Sequence, residues 1–190
     1  EESSDLSGDG ESRLWRADGK GRMYGLELML RHDPGERFFG WLSYTFSRSE
    51  RFDEKTDSYK LYSDDETHHI QLLGSFHLRR DWDIGFRARY VTGKPTTPIA
   101  GVEEWENYNT FVPLYGRENS KRLDPFVQLD LRIDKMFAFD TWMLTAYLDL
   151  QNVLWPIYKT PEFEMYNYDY SEKTTASAPM LPALGFKAEF

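Results

Sequence analysis

The chain has 190 residues and no cysteine, so its length suits one ordinary domain and excludes disulfides and thiolate metal centres. Its net charge of −9 argues against a nucleic-acid binder, which would carry a basic face. Mean hydropathy is −0.67 and no run of about 18 apolar residues occurs, which excludes a transmembrane helix but not membrane strands, where every second residue meets lipid. Residues 1–20 are polar, with Gly8, Gly10 and Gly19 and no apolar period, and read as a loop. Tyr24, Leu26, Leu28 and Leu30 then alternate with Gly25, Glu27, Met29 and Arg31, the period-two signature of a first strand. A tight turn follows at His32–Glu36, where Pro34 fixes φ and Gly35 permits positive φ. The second strand runs from about Arg37 to Ser49, with Leu42, Tyr44 and Phe46 opposed to Ser43, Thr45 and Ser47.

An acidic connection leads to about Thr67. The third strand, His68 to Leu78, sets Ile70, Leu72, Gly74, Phe76 and Leu78 against His69, Gln71, Ser75 and His77. After a turn at Arg79-Arg80-Asp81, the fourth sets Trp82, Ile84, Phe86, Ala88 and Tyr90 against Asp83, Arg87 and Arg89. Residues 93–123, with Pro95, Pro98 and Pro113, form a long connection. Phe126–Val153 carries the clearest pattern. Val127, Leu129, Leu131 and Ile133 oppose Gln128, Asp130, Arg132 and Asp134; then Trp142, Leu144, Ala146, Leu148 and Leu150 oppose Thr145, Tyr147, Asp149 and Gln151. Another long connection, 154–179, precedes a last strand with Leu184, Phe186, Ala188 and Phe190 on one face and Gly185, Lys187 and Glu189 on the other.

The expected fold is therefore all-β: seven antiparallel strands whose connections alternate short and long. Strands of about ten residues match a tilted bilayer crossing, and the alternation matches bacterial outer-membrane barrels, with short periplasmic turns and long extracellular loops. Trp82 and Trp142 would begin upward strands in the periplasmic aromatic girdle. Residues 1–20 carry net charge −3, 50–66 carry −4, 93–123 are neutral and 154–179 carry −2. All of the acidity therefore lies in connections, and the strand charges balance. A soluble β-sandwich is the structural alternative. Seven strands cannot close a bacterial barrel, which is even-numbered, so further strands are expected from a second polypeptide or a missing segment. No signal peptide opens the sequence, as expected of a processed or partial chain.

Several runs resemble the later barrel strands of TonB-dependent outer-membrane receptors. They are Tyr24-Gly25-Leu26-Glu27 after Gly21, Tyr44-Thr45-Phe46-Ser47-Arg48-Ser49, Arg89-Tyr90-Val91-Thr92-Gly93 with Pro95 and Pro98, and Leu148-Asp149-Leu150-Gln151-Asn152-Val153. Leu181-Pro182, Leu184-Gly185-Phe186 and Phe190 are similar to the family's final strand, whose terminal aromatic is read by the barrel-assembly machinery. The resemblance covers about residues 21–190, and its specificity lies in the order and spacing of the runs. It implies a 22-stranded barrel around an N-terminal plug, with TonB-driven import of siderophores, cobalamin or sugars. Residues 1–20 would be an extracellular loop segment and 21–190 the barrel's last seven strands, without plug or TonB box. The implied partners are the remaining strands and plug, TonB acting through that plug, and outer-membrane lipid with lipopolysaccharide. Alternatives are a structural barrel anchoring an envelope or surface complex, and a passive porin.

Two residue sets are candidate sites. Trp105, Tyr108, Tyr115, Trp155, Tyr158, Tyr166, Tyr168 and Tyr170, on the later long connections, are candidates for a ligand mouth, since aromatics combine contact area with a polar handle; loop packing is the alternative. Glu27, Arg87, Arg89, Asp130, Arg132, Asp134, Asp149, Lys187 and Glu189 face the lumen, either to meet a plug or to form cross-strand charge ladders. His68 and His69 point to opposite faces and chelate no common ion. Asp64-Asp65-Glu66 and Asp53-Glu54 with Asp57 read as solvated acidic loops, with cation bridging to lipopolysaccharide as the alternative. No nucleophile elbow or phosphate loop is present, so neither an enzyme nor a cofactor is expected.

Overall fold

The computed structural model describes residues 19–33, 35, 37–54, 56–105, 110–159 and 163–190. These contain no helix. Their strands are β1 (Gly21–His32), β2 (Phe38–Asp53), β3 (Ser58–Leu61), β4 (His68–Leu78), β5 (Trp82–Val91), β6 (Pro95–Thr96), β7 (Ile99–Trp105), β8 (Thr110–Tyr115), β9 (Lys121–Arg122), β10 (Phe126–Ala138), β11 (Met143–Gln151), β12 (Phe163–Tyr166), β13 (Lys173–Ala176) and β14 (Leu181–Glu189). An antiparallel meander runs β1-β2-β4-β5-β10-β11-β14, and β3 adds a short ladder to the end of β2.

All seven strands expected from the period-two pattern are present, and β4 has the expected bounds. The long connections differ from the sequence reading. They carry the hairpins β7–β8 and β12–β13 and the small ladder β6–β9. Alternation did not reveal them because neither face of β7–β8 is consistently apolar: β7 holds Glu103 and Glu104, and β8 holds Pro113. Trp142 also lies just outside β11, in the turn. There its carbonyl accepts from the Phe139 amide (2.9 Å), and its ring stacks on Phe139 and Phe190 at 4.4 and 5.9 Å.

The register brings the alternating apolar positions of all seven strands to one face. Leu30, Leu42, Leu72, Ala88 and Leu129 form one cross-strand row. Phe38, Phe76, Ile84, Ile133, Leu148 and Leu184 form another, which spans six strands. No second layer of described residues packs over this face. Among the described residues only Val91 and Pro95 have buried apolar side chains, whereas Leu26, Leu28, Leu184 and Phe186 are each more than half exposed. Inside the face, Gly40 pairs with Gly74, and the rings of Phe38 and Phe86 fold over them. A Cβ on Gly74 would lie 2.6 Å from the Phe86 ring. Gly74→Leu is therefore expected to destabilise the sheet by about 1–3 kcal/mol, the usual cost of overpacking. Urea unfolding in detergent micelles measures it; an unchanged midpoint would show that the rings move aside freely.

The sheet does not close. The Phe52 amide donates to the Lys20 carbonyl, so the even-numbered residues of β1 bond to β2. The backbone groups of Gly21, Met23, Gly25, Glu27, Met29 and Arg31 face an open edge. By the same alternation, starting from Phe139 and Trp142, Pro182, Leu184, Phe186 and Ala188 face the other edge. Pro182 has no N–H to leave unpaired there, the position where proline is tolerated in a sheet.

Candidate functional site: the charged face and the long connections

Opposite the apolar face, the same alternation gathers the polar positions. Arg87 and Asp130 stand directly across β5 and β10, with Arg87 Nη2 2.6 Å from Asp130 Oδ2. Asp130 also accepts from Gln128 (2.9 Å) and from the Asn152 amide (2.8 Å). Asn152 ends β11 in the left-handed region (φ 54°), a conformation asparagine tolerates, and its Nδ2 donates to the Ala178 carbonyl at 2.7 Å. This one residue thus turns the chain, holds Asp130 and anchors the return into β14. Arg132 bonds Asp134 (2.7 Å), faces Asp149 across the ladder and lies 4.0 Å from the centre of the Tyr147 ring. Lys187 pairs with Glu189 at 2.5 Å.

All nine residues expected to line the inner face therefore lie on the charged face. Six of them, Arg87, Asp130, Arg132, Asp134, Lys187 and Glu189, form ion pairs with one another. The ladder of charges is thus largely self-satisfied. A depression of about 370 Å³ over Gly85 is walled by Arg87, Arg132, Asp134 and Asp149. The charged face also carries apolar side chains that the sequence reading did not single out: Met29, Phe39, Trp41 and Leu73 occupy its β1–β2–β4 side, with Phe39 and Trp41 edge to face at 5.9 Å.

At the long-connection end the structure corrects the view of Asp64-Asp65-Glu66 as a solvated loop at Asp65, while Asp64 is exposed as expected. Asp65 is 1% exposed. Its carboxylate accepts from the Ser49 amide (2.7 Å), the Thr67 hydroxyl (2.7 Å) and Arg122 Nη2 (2.5 Å). Arg122 Nη1 donates to the carbonyls of Asp65 (3.0 Å) and Gly93 (2.8 Å). Burial pushes the Asp65 carboxyl up, and the bonds from Arg122, Ser49 and Thr67 more than offset this, holding it below the usual aspartate value. Arg122, which no sequence motif marked, thereby fastens the β6–β9 ladder to the top of β2. Asn119 adds a bond from Nδ2 to the Leu61 carbonyl (2.8 Å), and Lys94 pairs with Asp64 (3.0 Å). In the other acidic stretch, Asp53 pairs with Lys60. Among the described residues no cluster of three or more His, Asp or Glu side chains could hold a metal ion.

The eight candidate mouth aromatics do not form one group. Tyr108 lies outside the described residues. Trp105 and Tyr115 sit at opposite ends of the β7–β8 hairpin. Tyr158 instead buttresses the start of β10: its hydroxyl donates to the Pro125 carbonyl at 2.6 Å. Trp155, close by, lies under Lys159. The other three gather on β12–β13 and its turn. Tyr166 and Tyr170 are 6.0 Å apart, and Tyr168 meets Phe111 of β8 edge to face at 5.4 Å. Phe111, which the sequence reading passed over, joins the two hairpins through this contact, and Tyr115 also lies near enough to act on Tyr166.

No family model matches this chain, nor does any curated protein or solved structure. No described helix is long and apolar enough to cross a membrane, which says nothing of strands.

Proposed function

We propose that this chain forms part of the wall and mouth of a TonB-dependent outer-membrane transporter that imports a scarce ligand of the siderophore, cobalamin or glycan class. The observation that carries the reading is the continuous apolar face over seven strands of 9 to 16 residues, with no second layer packed on it among the described residues. A sheet in water buries such a face against another layer, whereas a sheet in a bilayer gives it to lipid. Trp82, Phe137, Phe139, Trp142 and Phe190 gather at the short-turn end, as an interfacial girdle would. The runs that resemble TonB-dependent receptors add the family to the architecture.

The open edges add a condition. Unpaired backbone groups in hydrocarbon cost several kcal/mol each, so β1 and β14 need partners. Both strands run in the same direction. An antiparallel closing segment must therefore supply an odd number of strands. A second copy related by an axis along the membrane normal would bring β1 parallel to β14, so the closing strands come from a different polypeptide or a further segment of this protein.

Denaturing mass spectrometry of the assembly purified intact from outer membranes tests the proposal. Additional strands with a plug and a TonB box, on a second chain or a longer one, are the expected result. Additional strands without a plug would favour an anchoring barrel or a passive pore. A water-soluble, monodisperse 190-residue species would overturn the membrane reading altogether.

A further inference from the structure

Two of the nine charges on the inner face stand apart from the ladder: Glu27 on the edge strand β1, and Arg89 in the middle of the sheet. Arg89 is flanked across both ladders by glutamines, Gln71 on β4 and Gln128 on β10, so no carboxylate stands opposite it. Its guanidinium lies 5.1 Å from the centre of the Phe126 ring and forms no ion pair among the described residues. It lines a cavity of about 300 Å³ at the long-connection end of the charged face, together with Glu66, His69, Lys94, Asp124 and Phe126. Lys94 is already neutralised by Asp64. Among the described residues neither Glu66 nor Asp124 has a cation within ion-pair distance; Lys94 acts on Glu66 and Lys173 on Asp124 only at longer range. One cavity therefore holds a guanidinium and two carboxylates that form no direct ion pair among the described residues, beside a ladder in which the neighbouring charges are paired.

We infer that this cavity is a binding site for a small zwitterion of amino-acid size, with its carboxylate on Arg89 and its ammonium between Glu66 and Asp124. A bare anion such as phosphate would face two carboxylates, and a bare cation would face the guanidinium. A molecule carrying both charges is complementary to all three groups. A planar guanidinium suits a carboxylate, which it engages through two parallel N–H bonds. Phe126 fixes the plane of that guanidinium and offers an apolar wall for a side chain. The volume stands at the lower end of small-ligand pockets, enough for one amino acid and too little for a large chelate. The site is separate from the aromatic hairpins, and its chemistry stands whether or not the chain belongs to a transporter.

Isothermal titration of the full chain, in the assembly in which it purifies, tests the inference with alanine, N-acetylalanine and alanine methyl ester as probes. Alanine is expected to bind saturably, and each single-charge analogue at least about tenfold more weakly, as the loss of one charged contact implies. Arg89→Gln should lose alanine binding, Arg89→Lys should retain part of it, and Glu27→Gln on the same face should leave it unchanged. Equal binding of N-acetylalanine, unchanged binding in Arg89→Gln, or no saturable signal with alanine or phenylalanine at millimolar concentration would each overturn the inference.

Discussion

Leu72→Arg should remove the protein from the folded membrane fraction. Leu72 sits at the centre of the apolar face, paired with Leu42 on one side and Ala88 on the other. In a bilayer this position is near the midplane, where an arginine on the lipid face of a barrel costs about 2–4 kcal/mol. That is a large share of the roughly 5–15 kcal/mol that holds a native domain together. In water the same side chain is 39% exposed, and arginine there would be harmless or would improve solubility. Thr45→Arg is the matched control. Thr45 lies on the opposite face, directly across from Glu27, so the new charge gains a cross-strand partner worth about 0.2–1 kcal/mol. Heat-modifiable migration on gels and recovery in the outer-membrane fraction report both variants. Loss of Leu72→Arg with retention of Thr45→Arg is expected; normal recovery of both would sink the membrane reading.

The sheet was legible in the sequence because each of its strands has two environments. A strand with an apolar face on one side and a charged face on the other must alternate at every step, and a slip by one residue would reverse both faces. This is why His68–Leu78 could be bounded to the residue, and why Arg87, Asp130 and Arg132 could be assigned a side before any coordinates. The long connections gave no such signal. Ile99–Trp105 and Thr110–Tyr115 pair through backbone bonds that ask for no particular side-chain alternation, so their sequence records little of the pairing. The Asp65–Arg122 contact was illegible for a different reason. Its partners lie 57 residues apart, in stretches whose composition is that of solvated loops, and only the register of the strands between them brings the two together. Asn152 is intermediate: its place after an alternating run marks a strand end, while its bonds to Asp130 and Ala178 come from tertiary placement.

Arg122→Ala is expected to release the long connections while leaving the sheet intact. The substitution strips the guanidinium from a carboxylate that is almost fully buried, and removing one partner of a buried pair costs about 3–5 kcal/mol, because the remaining charge is left uncompensated. The cost falls on the segment that Arg122 holds. The Ser49 amide, the Asp65 loop and the Gly93 carbonyl would lose protection together, whereas β10 and β11 would keep theirs. Hydrogen exchange and limited proteolysis resolve the two regions. Asp65→Asn with Arg122→Met removes both charges and fills similar volume, so it should recover most of the loss; no recovery would mean that the shape of Arg122, and not its charge, holds the loops. Acid should mimic the single variant. The folded Asp65 carboxyl sits below its unfolded value of about 3.9, so the pairing contributes stability above that value and loses it as pH falls through the folded one. Protection of the long connections should therefore hold from neutral pH down to about 4 and collapse below it, and in Arg122→Ala that acid step should be absent. Because the contact fixes the root from which the β7–β8 hairpin rises, its loss would also scatter Phe111 away from Tyr168. A fluorescence or exchange signal from those rings that is insensitive to Arg122 would show instead that the hairpins hold each other without the clamp.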